Sequence, residues 1–228
     1  MNDAPSVQTI DALIADYVAG NLCLPAKIMV DAHMELVPES RQWAADLEDV
    51  HGAAFSNGSP VDLNDADGML ANIMDAPGSD PDEEHQVVQS AVFSNVNAAE
   101  TANQVPQALQ DYIGMKLEDV PWRMKMPGVY SYRLDDVDSH EVALLRIKPG
   151  VAIPSHTHEG CELTFVLQGA FEDSEGRYGR GDISVADEHV DHEPVACEGE
   201  ECICFVVTDA PLRFNSTLTR IVSSILPN

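Results

Sequence analysis

Residues 150–169 read Gly150-Val-Ala-Ile-Pro-Ser-His156-Thr-His158-Glu-Gly-Cys-Glu162-Leu-Thr-Phe-Val-Leu-Gln-Gly169. In a β-strand, side chains two residues apart point to the same face, so His156 and His158 can project together into one interior. Glu162 follows after a short bend and can supply a third ligand. The run from 163 to 167 has the β-branched and aromatic residues of a buried strand. This stretch therefore predicts a metal site on a β-barrel.

The spacing Gly-x5-His-x-His-x3-Glu-x6-Gly resembles the first sequence motif of the cupin superfamily at every specified position. A second stretch, residues 178–194, resembles the second cupin motif. It has the Gly181-Asp182 turn, and His192 stands where that motif has its histidine. The family usually has proline and glycine where this chain has Asp187 and His189, so His189 is a rival ligand. The resemblance implies a jelly-roll β-barrel with a metal bound by His156, His158, Glu162 and His192.

Three imidazoles and one carboxylate form a donor set that suits borderline-soft divalent ions. Zinc is the ion we expect, with iron, manganese and nickel as alternatives that accept the same donors. Calcium and magnesium prefer oxygen ligands, so the imidazoles argue against them. We expect one divalent metal per chain.

The chain of 228 residues has a formal net charge of -27, with 39 acidic and 12 basic residues. Such a charge repels a phosphate backbone, so we expect no direct binding to nucleic acid. No apolar stretch approaches membrane-spanning length, and the N-terminus lacks the basic-then-apolar order of a signal peptide. We therefore expect a cytoplasmic protein that does not bind membranes.

Before residue 75, apolar residues recur at the spacing of amphipathic helices. The first stripe is Ile10, Leu13, Ile14, Tyr17 and Val18, and Gly20 ends it. A second helix opens at Pro25 and carries Met29, Ala32, His33, Leu36 and Val37. A third runs from about Pro38 and carries Trp43, Leu47 and Val50, and a fourth lies around Met69, Leu70, Ile73 and Met74. The N-terminal part is therefore predicted to be all-helical.

The composition changes after this helical part. The segment 75–84 combines prolines and glycine with like charges, which is typical of a linker. Residues 105–113 predict one more short helix, and short strands separated by turns follow from about Trp122. We predict an α + β multidomain chain with a small all-α domain over 1–75, an acidic linker and connecting segment over 76–104, and a cupin domain over 105–228.

Two segments resemble the opening helices of the ChrR-type anti-sigma factors. They are Leu13-Ile-Ala-Asp-Tyr-Val-Ala-Gly-Asn21 and Asp31-Ala-His33-Met-Glu-Leu-Val37-Pro-Glu-Ser40. Those proteins also end in a cupin, so the resemblance spans nearly the whole chain. In that family the N-terminal helices hold a zinc ion through an upstream histidine and a His-x3-Cys-x2-Cys motif.

This chain departs from the family at that helical zinc motif. His33 is present, but Val37 and Ser40 stand at the two cysteine positions, and Val7 or Gln8 stands at the upstream histidine. Structural zinc sites use four protein ligands, so we expect no zinc in the helical domain. We expect the domain to hold together by packing, with His33 as a packed or half-exposed residue.

The resemblance implies a transcriptional regulator. Its helical domain, residues 1–75, is expected to sequester an extracytoplasmic-function-type sigma factor, and its cupin is expected to sense a stress such as reactive oxygen. The acidic helices fit a partner with basic surfaces. A cupin metalloenzyme such as a dioxygenase, or a metal-dependent ligand-binding module without turnover, are the alternatives, although we favour a non-enzymatic role. The cupin could also bring two copies of the chain together.

Cys161 lies between two expected ligands, where an adjacent cation would lower the pKa of its thiol and make it a redox reporter. Packing as a small residue in a turn is the alternative that we favour. Cys202 and Cys204 alternate along a strand, so both are predicted to pack on the same side of it.

Overall fold

Helices occupy the N-terminal part of the described chain, and strands occupy most of the remainder. The structure is a computed structural model that describes residues 9–59, 64–75, 104–134, 140–158, 160–209 and 212–214. The helices are α1 (Ile10–Ala19), α2 (Leu24–Leu36), α3 (Pro38–Ser56), α4 (Ala66–Asp75) and α5 (Gln107–Ile113), and a 3₁₀ turn follows at Leu117–Asp119. The predicted α + β class, with helices first and a cupin-like sheet after them, is confirmed.

Local signals in the sequence place the ends of the first helices. The Oγ1 of Thr9 accepts a hydrogen bond from the backbone N–H of Ala12 and caps α1, and Gly20 ends this helix with φ 74°. Pro25 lies in the first turn of α2, and Pro38 opens α3 directly after Val37. The predicted end of α1 at Gly20 and the predicted prolines at the starts of α2 and α3 agree with the structure, whereas Val37, predicted to lie in α2, follows its last residue.

The strands form a six-stranded antiparallel sheet and two smaller sheets. They are β1 (Arg123–Met126), β2 (Val129–Arg133), β3 (Glu141–Ile147), β4 (His156–His158), β5 (Glu162–Gln168), β6 (Ala170–Glu172), β7 (Arg177–Gly179), β8 (Ile183–Ala186), β9 (Val195–Ala196), β10 (Cys202–Thr208) and β11 (Leu212–Phe214). The large sheet has the order β1-β2-β3-β10-β5-β8. The smaller sheets pair β11 with β4, and β7 with β6 and β9.

Both faces of the large sheet are buried, and each belongs to a different hydrophobic core. The helix–sheet core joins helix residues to one face of the sheet and includes Leu13, Ile14, Met29, Val30, Leu109, Leu144, Phe165 and Phe205. The barrel core lies on the other face and includes Val129, Ile147, Val166, Phe171, Cys202, Cys204 and Val206. Cys202 and Cys204 therefore pack on the same side of β10, as predicted. The apolar run of β5 follows from burial on both faces.

Helix α5 joins the N-terminal helices to the sheet. The carboxylate of Glu35 on α2 accepts hydrogen bonds from the backbone N–H groups of Gln107 and Ala108, at 2.8 and 3.0 Å. The ring of Tyr112 meets Phe205 of β10 edge to face, with centroids 5.9 Å apart. Helix α5 thus packs on α2 with one part of its surface and on the sheet with another.

The end of α3 and all of α4 leave apolar side chains exposed. Phe55 is 89% exposed, and Val50, Met69, Leu70, Ile73 and Met74 are each at least half exposed. The stripe of α3 predicted through Trp43, Leu47 and Val50 is only partly used, because α3 contributes little beyond Ala44 and Leu47 to the helix–sheet core. Amphipathic spacing identifies the apolar face of a helix but does not predict which part of that face packs against another element.

Two sequence predictions concern the connections and a membrane. The predicted linker, apart from Gln104, lies outside the described residues, and the domain limits at 75 and 105 stay predictions. In the part of the chain that the structure describes, no single helix is long and apolar enough to span a membrane; α1 and α2 reach that length only as a pair bent by 116°.

We expect the substitution Glu35→Ala to lower the free energy of unfolding by about 1 kcal/mol, because two backbone donors at the start of α5 lose their acceptor. Urea unfolding monitored by circular dichroism would measure this. Glu200→Ala removes the same charge from an exposed position and should change stability by less than about 0.5 kcal/mol. Equal effects of the two substitutions would contradict the capping role of Glu35.

Candidate metal centre

Three different segments bring the predicted ligands together. His156 and His158 are the two ends of β4, Glu162 opens β5, and His192 lies in the loop before β9. The backbones of His156 and His192 exchange hydrogen bonds of 3.1 and 3.2 Å, which hold the loop against β4. All three histidines are buried, and the side chain of Glu162 is 14% exposed. The four side chains form one cluster inside the barrel.

The ligand atoms of these four residues all lie within 4.8 Å of one another. The Nε2 of His192 is 3.1 Å from the Nε2 of His156 and 3.2 Å from that of His158. The Nε2 of His158 is 3.9 Å from the Oε1 of Glu162. Ligand atoms at about 2.0–2.1 Å from a tetrahedral zinc ion are about 3.4 Å apart, so the cluster has the size of a metal site.

Hydrogen bonds on the outer side of the rings orient two of the histidines. The Nδ1–H of His192 donates to Oδ2 of Asp173 at 2.9 Å, and the Nδ1–H of His156 donates to the carbonyl of Pro154 at 2.8 Å. Both acceptors lack hydrogens of their own, so the ring proton of each histidine lies on Nδ1. The lone pair of each Nε2 then points into the cluster, which is the arrangement that a metal ligand needs.

The inner side of the cluster has more lone pairs than protons. Nε2 atoms of His156 and His192 face each other with no hydrogen between them. The ring proton of His158 can serve only one contact, and its buried Nδ1 has no hydrogen-bond partner among the described residues. A divalent cation would accept all three nitrogen lone pairs and the Glu162 carboxylate at once. The donor set therefore fits a metal such as zinc, iron, manganese or nickel.

Burial favours the neutral forms of His156 and His158. It lowers the pKa of His156, and it lowers the pKa of His158 to about 3 with help from the charges of the other two histidines. Burial raises the pKa of Glu162. Metal ligands must be deprotonated, so burial favours the ligand form of these two imidazoles and opposes that of the Glu162 carboxylate, which a bound cation would stabilise.

His189, the rival ligand, lies away from the cluster. Its side chain is exposed, its Nε2 lies 3.8 Å from Oε1 of Glu188, and its backbone N–H donates to Oδ1 of Asp187. The loop turns on Asp187, so His189 points to solvent while His192 points into the barrel. The motif resemblance favoured His192, and the folded loop places His192 rather than His189 in the cluster.

Cys161 is a half-buried residue just before Glu162. Its backbone N–H donates to Oδ1 of Asp209 at 2.7 Å. Burial, together with the charge of Asp209, raises the pKa of its thiol to about 11. In the absence of a cation the thiol is therefore protonated at neutral pH, which agrees with the packing role that we favoured.

Asp173 is the functional residue that the sequence analysis missed. It follows β6 in the acidic turn Glu172-Asp173-Ser174-Glu175, where an aspartate is ordinary, and its Oδ1 also accepts from the backbone N–H of Glu175. Its side chain is only 1% exposed, and its Oδ2 lies 2.9 Å from the Nδ1 of His192. No spacing rule links these two residues, so the contact becomes visible only in the folded chain.

We expect Asp173→Asn to weaken metal binding by about 10- to 100-fold, because loss of the carboxylate leaves the His192 ring less firmly oriented and less basic. Competition with a chromophoric chelator would measure the affinity. His189→Ala is the matched control and should leave the affinity unchanged. An Asp173→Asn protein that binds metal as tightly as this control would contradict the role of Asp173.

Comparisons with known proteins agree with this fold. The family described as the ChrR Cupin-like domain matches residues 110–211. The anti-sigma-E factor ChrR of Cereibacter sphaeroides is 40% identical over 212 residues, which is 93% of each chain. A solved structure of Rhodobacter sphaeroides SigE in complex with the anti-sigma ChrR contains a chain that is 38% identical, with a TM-score of 0.64, covering 87% of this chain and 96% of that chain. This chain therefore belongs to the ChrR family of anti-sigma factors.

Proposed function

We propose that this protein is a cytoplasmic anti-sigma factor that sequesters an extracytoplasmic-function-type sigma factor through residues 1–75. The observation that carries this proposal is the 40% identity to an anti-sigma-E factor over 93% of both chains. The likeness is not confined to the cupin, since the solved ChrR chain is matched over 96% of its length. The helical part thus has a counterpart in a protein whose solved structure is a complex with a sigma factor.

The exposed apolar side chains of α3 and α4 supply a surface for this partner. We define the α3–α4 surface as Val50, Phe55, Met69, Leu70, Ile73 and Met74, which are all half or more exposed. The described part of the chain covers none of them, whereas the apolar faces of α1 and α2 pack in the helix–sheet core. Large apolar side chains that stay exposed on two helices are candidates for a site of protein association.

Charge supports a basic partner for the same surface. The first hundred residues contain only Lys27 and Arg41 as fixed cations. A sigma factor needs basic surfaces for promoter DNA, and an acidic protein can compete for them. Affinity for the sigma factor should therefore decrease as salt screens these charges.

The cupin acts in this proposal as the sensor, with one zinc ion held by His156, His158, Glu162 and His192. A four-coordinate zinc ion held by three imidazoles and one carboxylate would have no position open, which would suit regulation better than turnover. A stress such as reactive oxygen would act on this centre. Iron, manganese and nickel accept the same donors, so elemental analysis must identify the ion.

Strand β5 offers a physical path from the metal centre to the helices. Glu162 and Thr164 lie on its inner face, where the Oγ1 of Thr164 donates to Oε1 of Glu162 at 3.2 Å. Leu163 and Phe165 lie on its outer face in the helix–sheet core. A change of coordination at Glu162 would shift β5 and thereby alter the packing of α2. The signal then changes the relative free energies of the bound and released states, as regulation requires.

We expect elemental analysis of the purified protein to find about one metal ion per chain. His192→Ala should reduce the metal content strongly, because it removes a ligand and leaves three donors. His189→Ala should keep the full content. Two tightly bound ions per chain would contradict the expectation that the helical part binds no zinc.

We expect the double substitution Leu70→Asp and Ile73→Asp to weaken binding to the cognate sigma factor by at least about tenfold, since two charges enter an apolar contact. Binding of the variant to the immobilised sigma factor, and inhibition of run-off transcription, would test this. Met124→Asp, on β1 of the cupin, changes a methionine of similar exposure (64%) and should leave binding unchanged.

The same assays separate the alternative functions. Failure of the unsubstituted protein to bind any sigma factor, together with consumption of oxygen and a small organic substrate, would replace this proposal with a metalloenzyme. Binding of a small molecule without turnover would indicate a ligand-binding module.

A further inference from the structure

The helical zinc motif of the family does not fit the residues of this chain. The side chain of Val37 has no atom that can bind a metal, and Ser40 carries a hydroxyl where the family has a cysteine. Positions 7 and 8, which align with the upstream histidine, lie outside the described residues. The third member of the motif, His33, is 5% exposed and has both ring nitrogens engaged in hydrogen bonds. These three positions have another structural role.

His33 connects α2 to the cupin and to α3 at the same time. Its Nδ1 lies 2.6 Å from the carbonyl oxygen of Gly181, in the turn between β7 and β8. A carbonyl can only accept, so Nδ1 carries the proton. Its Nε2 therefore accepts, and the hydroxyl of Ser40 donates to it at 2.8 Å. A neutral imidazole with one proton satisfies both neighbours.

On the cupin side of this contact, Gly181 lets the end of α2 approach the backbone of the turn closely. Gly181 has φ +94°, and a Cβ at this position would lie 3.3 Å from the Cβ of Leu36 and 3.7 Å from the Cγ2 of Val37. The end of α2 thus packs directly on the backbone of the turn. Val37 and Ser40, the two residues in place of the family's cysteines, both take part in this contact.

The turn is itself tied to β5 and to the chain that precedes α5. The N–H of Gly181 donates to the carbonyl of Val166 on β5 at 2.9 Å. The Nη2 of Arg180 donates to the carbonyl of Gln104 at 2.6 Å. A group that holds α2 to this turn therefore holds the helices to the strand that carries Glu162.

We propose that His33, Val37, Ser40 and Gly181 form a metal-free latch that positions the end of α2 on the cupin, in place of the zinc motif of the family. We call these four residues the latch. This role does not depend on a sigma factor, because both halves of the contact belong to one chain. His33 acts as a positioning residue, and its hydrogen bonds replace the metal bonds that it would make in the family's motif.

The latch requires a neutral His33, which makes it sensitive to acid. Burial lowers the pKa of His33 from its ordinary value, against the opposing effects of the Gly181 carbonyl and the charge of Asp182. The charge of Asp182 on the turn acts on His33, and Arg41, which follows Ser40 on α3, is bound to the carbonyl of Met34. Released His33 binds protons near pH 6.5 whereas latched His33 resists them, so the latch is complete above that pH and weakens as the pH falls below it.

Hydrogen–deuterium exchange of the full-length, metal-loaded protein tests the latch. His33→Ala should increase exchange at least about tenfold in two separate peptides, 29–37 of α2 and 177–183 of the turn. Peptide 156–162, at the metal ligands, should keep its wild-type rate. His33→Gln can donate to Gly181 and accept from Ser40, so it should restore most of the protection.

Two glycine substitutions in the cupin test the same contact. Gly181→Ala adds a Cβ against Leu36, whereas Gly199→Ala adds one at φ +115° with no atom within 4 Å. Both substitutions carry the strain of a left-handed backbone, so only Gly181→Ala should expose residues 29–37. Equal exchange of that peptide in the two variants would overturn the proposal.

Lowering the pH from 7.5 to 5.5 supplies a further arm of the experiment. After correction for intrinsic exchange rates, the unsubstituted protein should open at 29–37 and 177–183, while His33→Gln, which does not titrate, should not. Exchange confined to α2 in His33→Ala would show that His33 is merely a core residue. Loss of one metal ion per chain in that variant would show that it is a ligand. Either result would overturn the latch.

Discussion

The alternation of side chains along β5 is the constraint on which the rest of the structure depends. Even-numbered positions from Glu162 face the barrel interior, and odd-numbered positions from Leu163 face the helices. A shift of pairing by one residue would exchange these faces, moving a carboxylate into the helix–sheet core and a leucine into the metal centre. The register with β10 and β8 therefore sets the metal site and the helical packing together.

The metal centre places like groups close together before any ion binds. Two imidazole lone pairs face each other, a third ring stands beside them, and a buried carboxylate completes the cluster. Asp173 and the Pro154 carbonyl hold two of the rings in this arrangement from outside. Because the arrangement is held by other contacts, the centre is preorganised for a cation.

The helical part compensates for its missing cysteines through the cupin. Small helical domains bury too little apolar surface to be very stable alone, and a structural metal is one common remedy. Here α1, α2 and α5 instead extend their core onto the outer face of the large sheet. The end of α2 meets the turn at Gly181 through the positions that hold zinc in the family. The other end of the helical part, at α3 and α4, keeps its apolar residues exposed and available.

The sequence alone determined the order of helices and strands, the starts of α2 and α3 at prolines, and the identity of the residues that gather at the metal centre. These properties depend on neighbours close in the chain: a strand places residues two apart on one face, and a proline or glycine limits the backbone where it stands. Tertiary structure decided the exposure of His189, the partnership of Asp173 with His192, and the contact of His33 with Gly181. The two contacts join segments that are distant in sequence and whose approach no local pattern encodes. The exposure of α4 is of the same kind, because burial depends on which surface reaches a helix, whereas amphipathicity depends only on the helix itself.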